Sequence, residues 1–473
     1  MVDPDAIVVG SGPNGLAAAI VLAGAGLRTV VREAQPTAGG GLCSEQLTLP
    51  GFTHDVCSAV HPLALASPFF RSLPLRPDLE WVQPPAAVAH PLDDGSAAVL
   101  DRSLDATATA LGAGGRGWRA LHAPFVLGWE ALAGDVLAPP IRMPHHPLVM
   151  ARFGLKAVRS ALGVARTALE GTAARALFAG NAAHSFLPLE TPGTAAFGLL
   201  LGVAGHAVGW PIVRGGSQRL ADALVAHFRS IGGEIIAGAP VTRIEELGQP
   251  RVIVFDLTPR QVARIAGHRL PARYRRALER YRYGSAAFKV DWALDGPVPW
   301  KAPGCARAAT VHLAGTLEEV AASEAAHARG EVHERPFVLL VQPTLFDPSR
   351  APPGKHIGWA YCHVPNGWTV DVTDRIERQV ERFAPGFRDR ILARRTITPA
   401  DFERRNANLV GGDISGGMMD LRQVFARPVA RPVPYATPLK GVYICSAATP
   451  PGGGVHGMGG YHAARAALAA LRT

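Results

Sequence analysis

Three stretches of the sequence predict an α/β fold, with a Rossmann-like parallel sheet and a second domain of mixed α+β character. The first is at the N-terminus. Asp5–Val9 reads as a buried strand, Gly10–Gly15 as a glycine turn, Leu16–Ala23 as a helix and Arg28–Arg32 as a second strand. The second is at the other end of the chain. There a strand (Gly441–Cys445), a loop with six glycines among nine residues (Gly452–Gly460) and an Ala-rich helix (Tyr461–Leu471) follow one another. The third begins at Gly215-Gly216-Ser217. An amphipathic helix, Gln218–Ile231, follows it, then short strands at Glu234–Ile236 and Pro240–Ile244.

The N-terminal stretch is G-x-G-x-x-G in a βαβ setting, with an acid, Glu33, 18 residues after the third glycine. That combination reads a dinucleotide. Gly10 permits the tight turn, Gly12 lets the backbone approach a pyrophosphate, and Gly15 lets the helix pack on the strand. Pro13 and Asn14 open the helix, whose unpaired N–H groups and dipole attract phosphate. Glu33, followed by Ala34, accepts hydrogen bonds from ribose hydroxyls and repels a 2′-phosphate, which disfavours NADP. Two nucleotide-type elements at opposite chain ends fit one extended FAD better than NAD. The first holds the ADP half; the C-terminal loop, with Gly453, Gly454, Val455 and His456, meets the flavin. No second Rossmann fingerprint for NAD(P)H is present.

Further residues resemble the FAD-dependent phytoene desaturase-like oxidoreductases, in particular the bacterial branch related to pyridine nucleotide-disulfide oxidoreductase domain-containing protein 2. The resemblance runs through Gly10–Leu16, Gly39-Gly40-Gly41 with Pro50-Gly51-Phe52, Gly209-Trp210-Pro211 with Gly215–Ser217, Trp359–Pro365 and Pro450–Gly460. It implies a two-domain, p-hydroxybenzoate-hydroxylase-like fold with non-covalent FAD, to which Gly40, Gly41 and Val241 also contribute. It further implies carbon–carbon dehydrogenation or a related flavin oxidation, often of a lipophilic substrate. Two departures stand out. Gly41-Leu42-Cys43 fills a stretch where many relatives carry Arg, and Val241–Asp256 is short, so a β-hairpin common there is expected to be missing. An active-site dithiol is absent: the five cysteines, at 43, 57, 305, 362 and 445, form no C-x-x-C.

At 473 residues the chain is long enough for two domains. The reading is discontinuous: residues 1–74, 211–284 and 406–473 form the FAD-binding domain, and 75–210 and 285–405 the substrate domain. Hydrophobic residues at 48% and charged residues at 18% exclude disorder. The net charge of +10 comes without any run of five basic residues, so no nucleic-acid partner is expected. A solvated basic surface accounts for the charge, with peripheral membrane contact as the rival reading. Sparse cysteines and a first strand within five residues of Met1 point to a cytoplasmic protein, with peripheral contact to the inner face of the membrane as a further expectation.

Pro192–Val213 carries no charged residue apart from a protonatable His206, a length that suits a membrane span. Its five glycines and Pro211 favour instead a buried helix and loop lining an apolar cavity, with room left by the glycines for a bulky ligand. His184, Phe197, Leu200 and His206 are the expected substrate contacts. His456, Tyr461 and His184 are the candidates to take a proton as hydride leaves. The alternatives are loop bracing for His456 and packing for Tyr461. No metal is expected: His145-His146 are adjacent, and no H-E-x-x-H occurs. No G-x-S-x-G elbow or P-loop occurs either. The expectation is an FAD-dependent oxidoreductase that removes hydride from a largely apolar substrate and passes electrons to oxygen or a quinone. Two alternatives are an amine oxidase-type enzyme, which needs an aromatic cage at the flavin, and a flavin-bound scaffold without turnover.

Overall fold

Ala6–Val9 and Val252–Phe255 are four-residue runs without a polar side chain, and both are buried on both faces. Strands of this kind need helices on either side of a parallel sheet. The computed structural model, which describes residues 3–75 and 79–472, places them side by side in a five-stranded parallel sheet. The order is Val442–Ile444, Val252–Phe255, Ala6–Val9, Thr29–Arg32, Glu234–Ile236. Alternation along Ala6–Val9 sends Ala6 and Val8 into a core shared with Leu16 and Ala19. Ile7 and Val9 enter a second core, with Val262, Ile265 and Leu278.

Helix Pro13–Gly24 covers the first of these cores and packs against both the C-terminal helix Met458–Ala470 and helix Gln218–Ser230. The N- and C-terminal glycine loops are thereby brought to the same end of the sheet.

One expectation changes here. Pro240–Ile244 is not a strand. The Ala239 amide donates to the Glu33 carbonyl, so the chain crosses the end of Thr29–Arg32 and then forms a 3-10 turn at Ile244–Leu247. The segment Val241–Asp256 has no hairpin, as expected. It ends in Val252–Phe255, which separates the N-terminal strand from Val442–Ile444.

The second sheet has seven strands in the order Ile391–Ile397, Ala286–Leu294, His356–Val364, Val338–Val341, Ala308–Leu313, Ala86–Pro91, Ala97–Asp101. All its pairs are antiparallel except Ala308–Leu313 with Ala86–Pro91. Helices Thr172–Ala183 and Ala195–Ala207 lie over one face, and Thr373–Phe383 over the other. Among the described residues no helix is long and apolar enough to cross a membrane.

Helix Ala195–Ala207 corrects the reading of its glycines. A Cβ at Gly198 would meet the Phe178 ring at 2.7 Å, one at Gly202 the His122 ring at 2.5 Å, and one at Gly205 the Leu100 side chain at 2.5 Å. The glycines admit neighbouring side chains rather than a ligand.

The helix pair at the chain ends makes a stability prediction. A Cβ at Gly460 would lie 1.8 Å from the Asn14 carbonyl oxygen, whereas one at Gly24 meets nothing within 4 Å. Gly460→Val is expected to cost more than about 3 kcal/mol, because backbone must move. Gly24→Ala is expected to change stability by no more than about 1 kcal/mol. Denaturant unfolding of the two variants checks the contrast.

Candidate functional site

A cavity of about 1300 Å³ begins at the N-terminal glycine turn and ends against the second sheet. That exceeds the roughly 300–1,000 Å³ of ordinary small-molecule pockets. Gly10, Gly12, Pro13 and Asn14 line its start, with Glu33 and Ala34 beside them. Gly40, Gly41 and Val241 complete this end. Gly453, Gly454, Val455 and His456 line the middle, and His184, Phe197 and Leu200 the far part. The wall does not include Gly15, Tyr461 or His206.

Each of these three has a packing role. A Cβ at Gly15 would lie 2.1 Å from the Gly10 carbonyl oxygen, so this glycine serves the helix–strand contact as expected. Tyr461 packs against Phe69 at a tilted angle and edge-to-face on His462, at ring distances of 5.9 and 5.3 Å. The Trp118 indole N–H donates to His206 Nε2 at 3.0 Å, beside His122. Tyr461 is therefore not placed as a base, nor His206 as a substrate contact.

Glu33 ties the two strand ends together. Its Oε2 accepts from the Ser11 amide at 2.8 Å and hydroxyl at 2.5 Å, and its Oε1 from the Gln35 amide at 2.8 Å. A second acid, Asp256, was missed by the sequence reading. It follows Val252–Phe255 directly, and its Oδ2 accepts from the Gly15 amide at 2.9 Å. A Cβ at Gly12 would meet that Oδ2 at 2.6 Å. Gly12 is thus required by Asp256, where the sequence reading reserved its space for a pyrophosphate alone. Burial pushes the Asp256 carboxyl up, the Gly15 amide opposes this, and the Glu33 charge adds to the rise; the result is a pKa of about 7. The signal was present in the sequence: an acid at the C-terminal end of a buried strand, where open α/β sheets bind ligands.

His456 is a brace. Its Nδ1 accepts from the Met458 amide at 3.0 Å and its Nε2 faces the Gly452 carbonyl at 3.2 Å. Its own carbonyl accepts from the Ser67 hydroxyl at 2.6 Å. Burial lowers its pKa to about 4. Both ring nitrogens are engaged, so His456 has no free lone pair for a proton.

Trp359 and Tyr361 stand on one face of strand His356–Val364, stacked at 6.1 Å and 14° along the cavity wall. Phe186, also in the wall, lies over His363 at 3.8 Å. His184 Nε2 is 3.1 Å from His312 Nε2, and burial, with the nearby His363, lowers its pKa to about 3. Behind this wall Glu324 Oε2 bonds both His363 Nδ1, at 2.7 Å, and His327 Nε2, at 3.2 Å. Glu324, His327 and His363 have the spacing of a metal-ligand trio. Both rings are already hydrogen-bonded to the same carboxylate oxygen.

Comparison with known proteins fits this geometry. A family model described as NAD(P)-binding Rossmann-like domain matches residues 8–71. The chain is 26% identical to the mouse pyridine nucleotide-disulfide oxidoreductase domain-containing protein 2, over 99% of this chain and 94% of that protein. It is 25% identical to a lycopene-forming phytoene desaturase of a Paracoccus species, over 52% of each. Among solved structures, an oxidoreductase from Methanosarcina mazei aligns with a TM-score of 0.66 at 16% identity, covering 98% of this chain and 99% of that one. Putrescine oxidase bound to putrescine aligns with a TM-score of 0.64 at 16% identity, covering both chains in full. The fold is that of these two-domain oxidoreductases, and the resemblance read from the motifs is shared along nearly the entire chain.

The raised pKa of Asp256 sets a pH dependence of stability. Below pH 4 both folded and unfolded chains hold the proton. Between the ordinary carboxyl value of 3.8 and about 7 only the folded chain does, so stability falls as pH rises; above that the penalty is complete. Asp256→Asn keeps an acceptor for Gly15 and does not titrate. It is expected to match the wild type below about pH 4 and to exceed it by up to about 4 kcal/mol above pH 7. Unfolding of the cofactor-free protein across this range measures the difference.

Proposed function

We propose that this chain is an FAD-dependent oxidoreductase that removes hydride from a largely apolar organic substrate. The observation that carries the reading is the single cavity joining the glycine turn and Glu33 to the Trp359–Tyr361 wall. The residues present fit the cofactor. A Cβ at Gly40 would meet Gly12 Cα at 2.9 Å, so the two glycine segments approach as closely as bare backbone allows. At the same end Arg32 lines the cavity with its Nε buried and unpartnered. In this reading Glu33 binds ribose, the helix N-terminus at Pro13 and Asn14 faces the diphosphate, and Gly453–Val455 receive the ring. Bound FAD supplies the hydride acceptor.

The remaining work falls to the chain. Phe197, Leu200, Trp359 and Tyr361 orient the substrate and exclude water. His184, neutral at physiological pH and paired with His312, lines the cavity as a polar group that orients the substrate. Oxygen or a quinone is the proposed electron acceptor.

An amine substrate is the second reading, favoured by the stacked Trp359–Tyr361 pair. It is weakened by Lys289, whose Nζ lies 4.9 Å from the Trp359 ring centroid. That ring already faces one ammonium, which Asp291 pairs, so its cation-binding face is taken.

Two measurements test the proposal. Denatured protein is expected to release FAD into the supernatant, leaving a colourless chain. NAD alone, or flavin retained on the polypeptide, contradicts it. Native mass spectrometry of the purified protein is expected to find apolar small molecules retained in the cavity, which bleach the flavin when added back without oxygen. Bleaching by amines alone supports the second reading. A flavin that nothing retained or added reduces marks a scaffold.

A further inference from the structure

Eleven large hydrophobic side chains are exposed among the described residues, and five of them lie in one short stretch: Ile141, Met143, Leu148, Leu155 and Val158. Met143 is 83% exposed, Leu148 76% and Leu155 75%. Isolated exposed apolar residues need no explanation, but a contiguous group does.

The stretch is helix Pro147–Ala157 and its flanks. Leu148, Arg152, Leu155 and Arg159 recur at helical spacing, so apolar and cationic groups share the outward stripe. Phe153, on the buried side of the helix, lines the cavity, as do Leu137, Ala138 and Pro140 in the chain just before the segment. One layer of chain therefore separates the exposed patch from the cavity.

The patch extends beyond this segment. The Gly193 amide donates to the Val158 and Arg159 carbonyls, and a Cβ at Gly193 would meet Leu421 at 2.8 Å. Helix Leu421–Ala426, which carries exposed Phe425, thus borders the same surface.

The charges select the occupant. Residues 141–159 include Arg142, Arg152, Lys156 and Arg159, with His145 and His146, and no Asp or Glu. Arg142 is paired with Asp135 at 2.6 Å. Arg152 and Lys156 form no ion pair among the described residues. A second copy of the chain placed on this patch across a two-fold axis would bring these cations together. Anionic headgroups accept them while lipid tails take the aliphatic side chains, as for helices that lie in a membrane interface.

We propose that residues 141–159 form the surface by which this protein docks on an anionic phospholipid membrane. The docking leaves the apolar cavity next to the lipid. It rests on the surface alone and holds whichever cofactor the cavity takes.

Co-sedimentation of the full-length, cofactor-loaded protein with lipid vesicles tests it. The wild type is expected to pellet with vesicles containing roughly a third phosphatidylglycerol, and to bind pure phosphatidylcholine about tenfold more weakly. Raising salt is expected to release part of the bound protein. The double variant Leu148→Glu/Leu155→Glu replaces two outward side chains. It is expected to keep the wild-type cofactor content and melting temperature while losing at least about tenfold in vesicle binding. Equal binding by variant and wild type overturns the proposal, as does absence of wild-type binding to the phosphatidylglycerol vesicles. Wild-type dimers that the double variant converts to monomers, without vesicle binding, assign the patch to a second copy instead and also overturn it.

Discussion

The close approach of the glycine turn to Asp256 and Glu33 is the contact on which the rest of the structure depends. Gly12 and Gly15 lack side chains where the Asp256 carboxyl stands, and the Gly15 amide is spent on that carboxyl. Glu33 closes the other side through Ser11. Three parallel strands, Thr29–Arg32, Ala6–Val9 and Val252–Phe255, thus end at one point. The turn is held by two acids, backbone donors and the Ser11 hydroxyl, with no cation among the described residues hydrogen-bonded to either acid. Burying a carboxyl in this way is costly unless a proton or a donor compensates, and the rise in the Asp256 pKa, due first to burial and then to the nearby Glu33 charge, expresses that cost.

From that point the architecture follows by packing. Helix Pro13–Gly24 lies against the C-terminal helix because Gly460 lets backbone meet backbone at Asn14, while Gly459 leaves room for the Cys445 carbonyl. This brings Gly453–His456 to the same cavity as the N-terminal turn. The second sheet then closes the far end with Trp359 and Tyr361. Polar groups near this wall are paired internally or kept neutral. His456 is tied into its own loop, His184 and His312 face each other, and Glu324 is shared by His327 and His363. Beside this wall Phe186, Phe197, Leu200, Trp359 and Tyr361 form the cavity surface.

Local pattern made much of the site legible. Gly10, Gly12, Pro13, Asn14, Glu33, Gly40, Gly41 and Gly453–His456 all line one cavity, because turns and caps are dictated by residues close in sequence. Side chains on helices were harder to place. Phe197, Leu200 and His206 share helix Ala195–Ala207, yet the first two reach the cavity and His206 meets Trp118. The helix is apolar all round, so no polar face reported its orientation. Its glycines had the opposite meaning to that expected, since what fills a glycine's space is a neighbour distant in the chain.

The sequence by itself determined the parallel βαβ unit at the N-terminus, the strand–loop–helix at the C-terminus and the residues of both glycine loops. Period, turn chemistry and the position of an acid are properties of contiguous residues, and they suffice for these elements. Only the tertiary structure decided that Val252–Phe255 lies between the two chain ends, that Asp256 enters the glycine turn, and which partner holds each of the candidate histidines. Those are contacts between residues as much as 241 positions apart, as for Gly15 and Asp256. They depend on how buried surfaces fit together, and no local pattern encodes that fit.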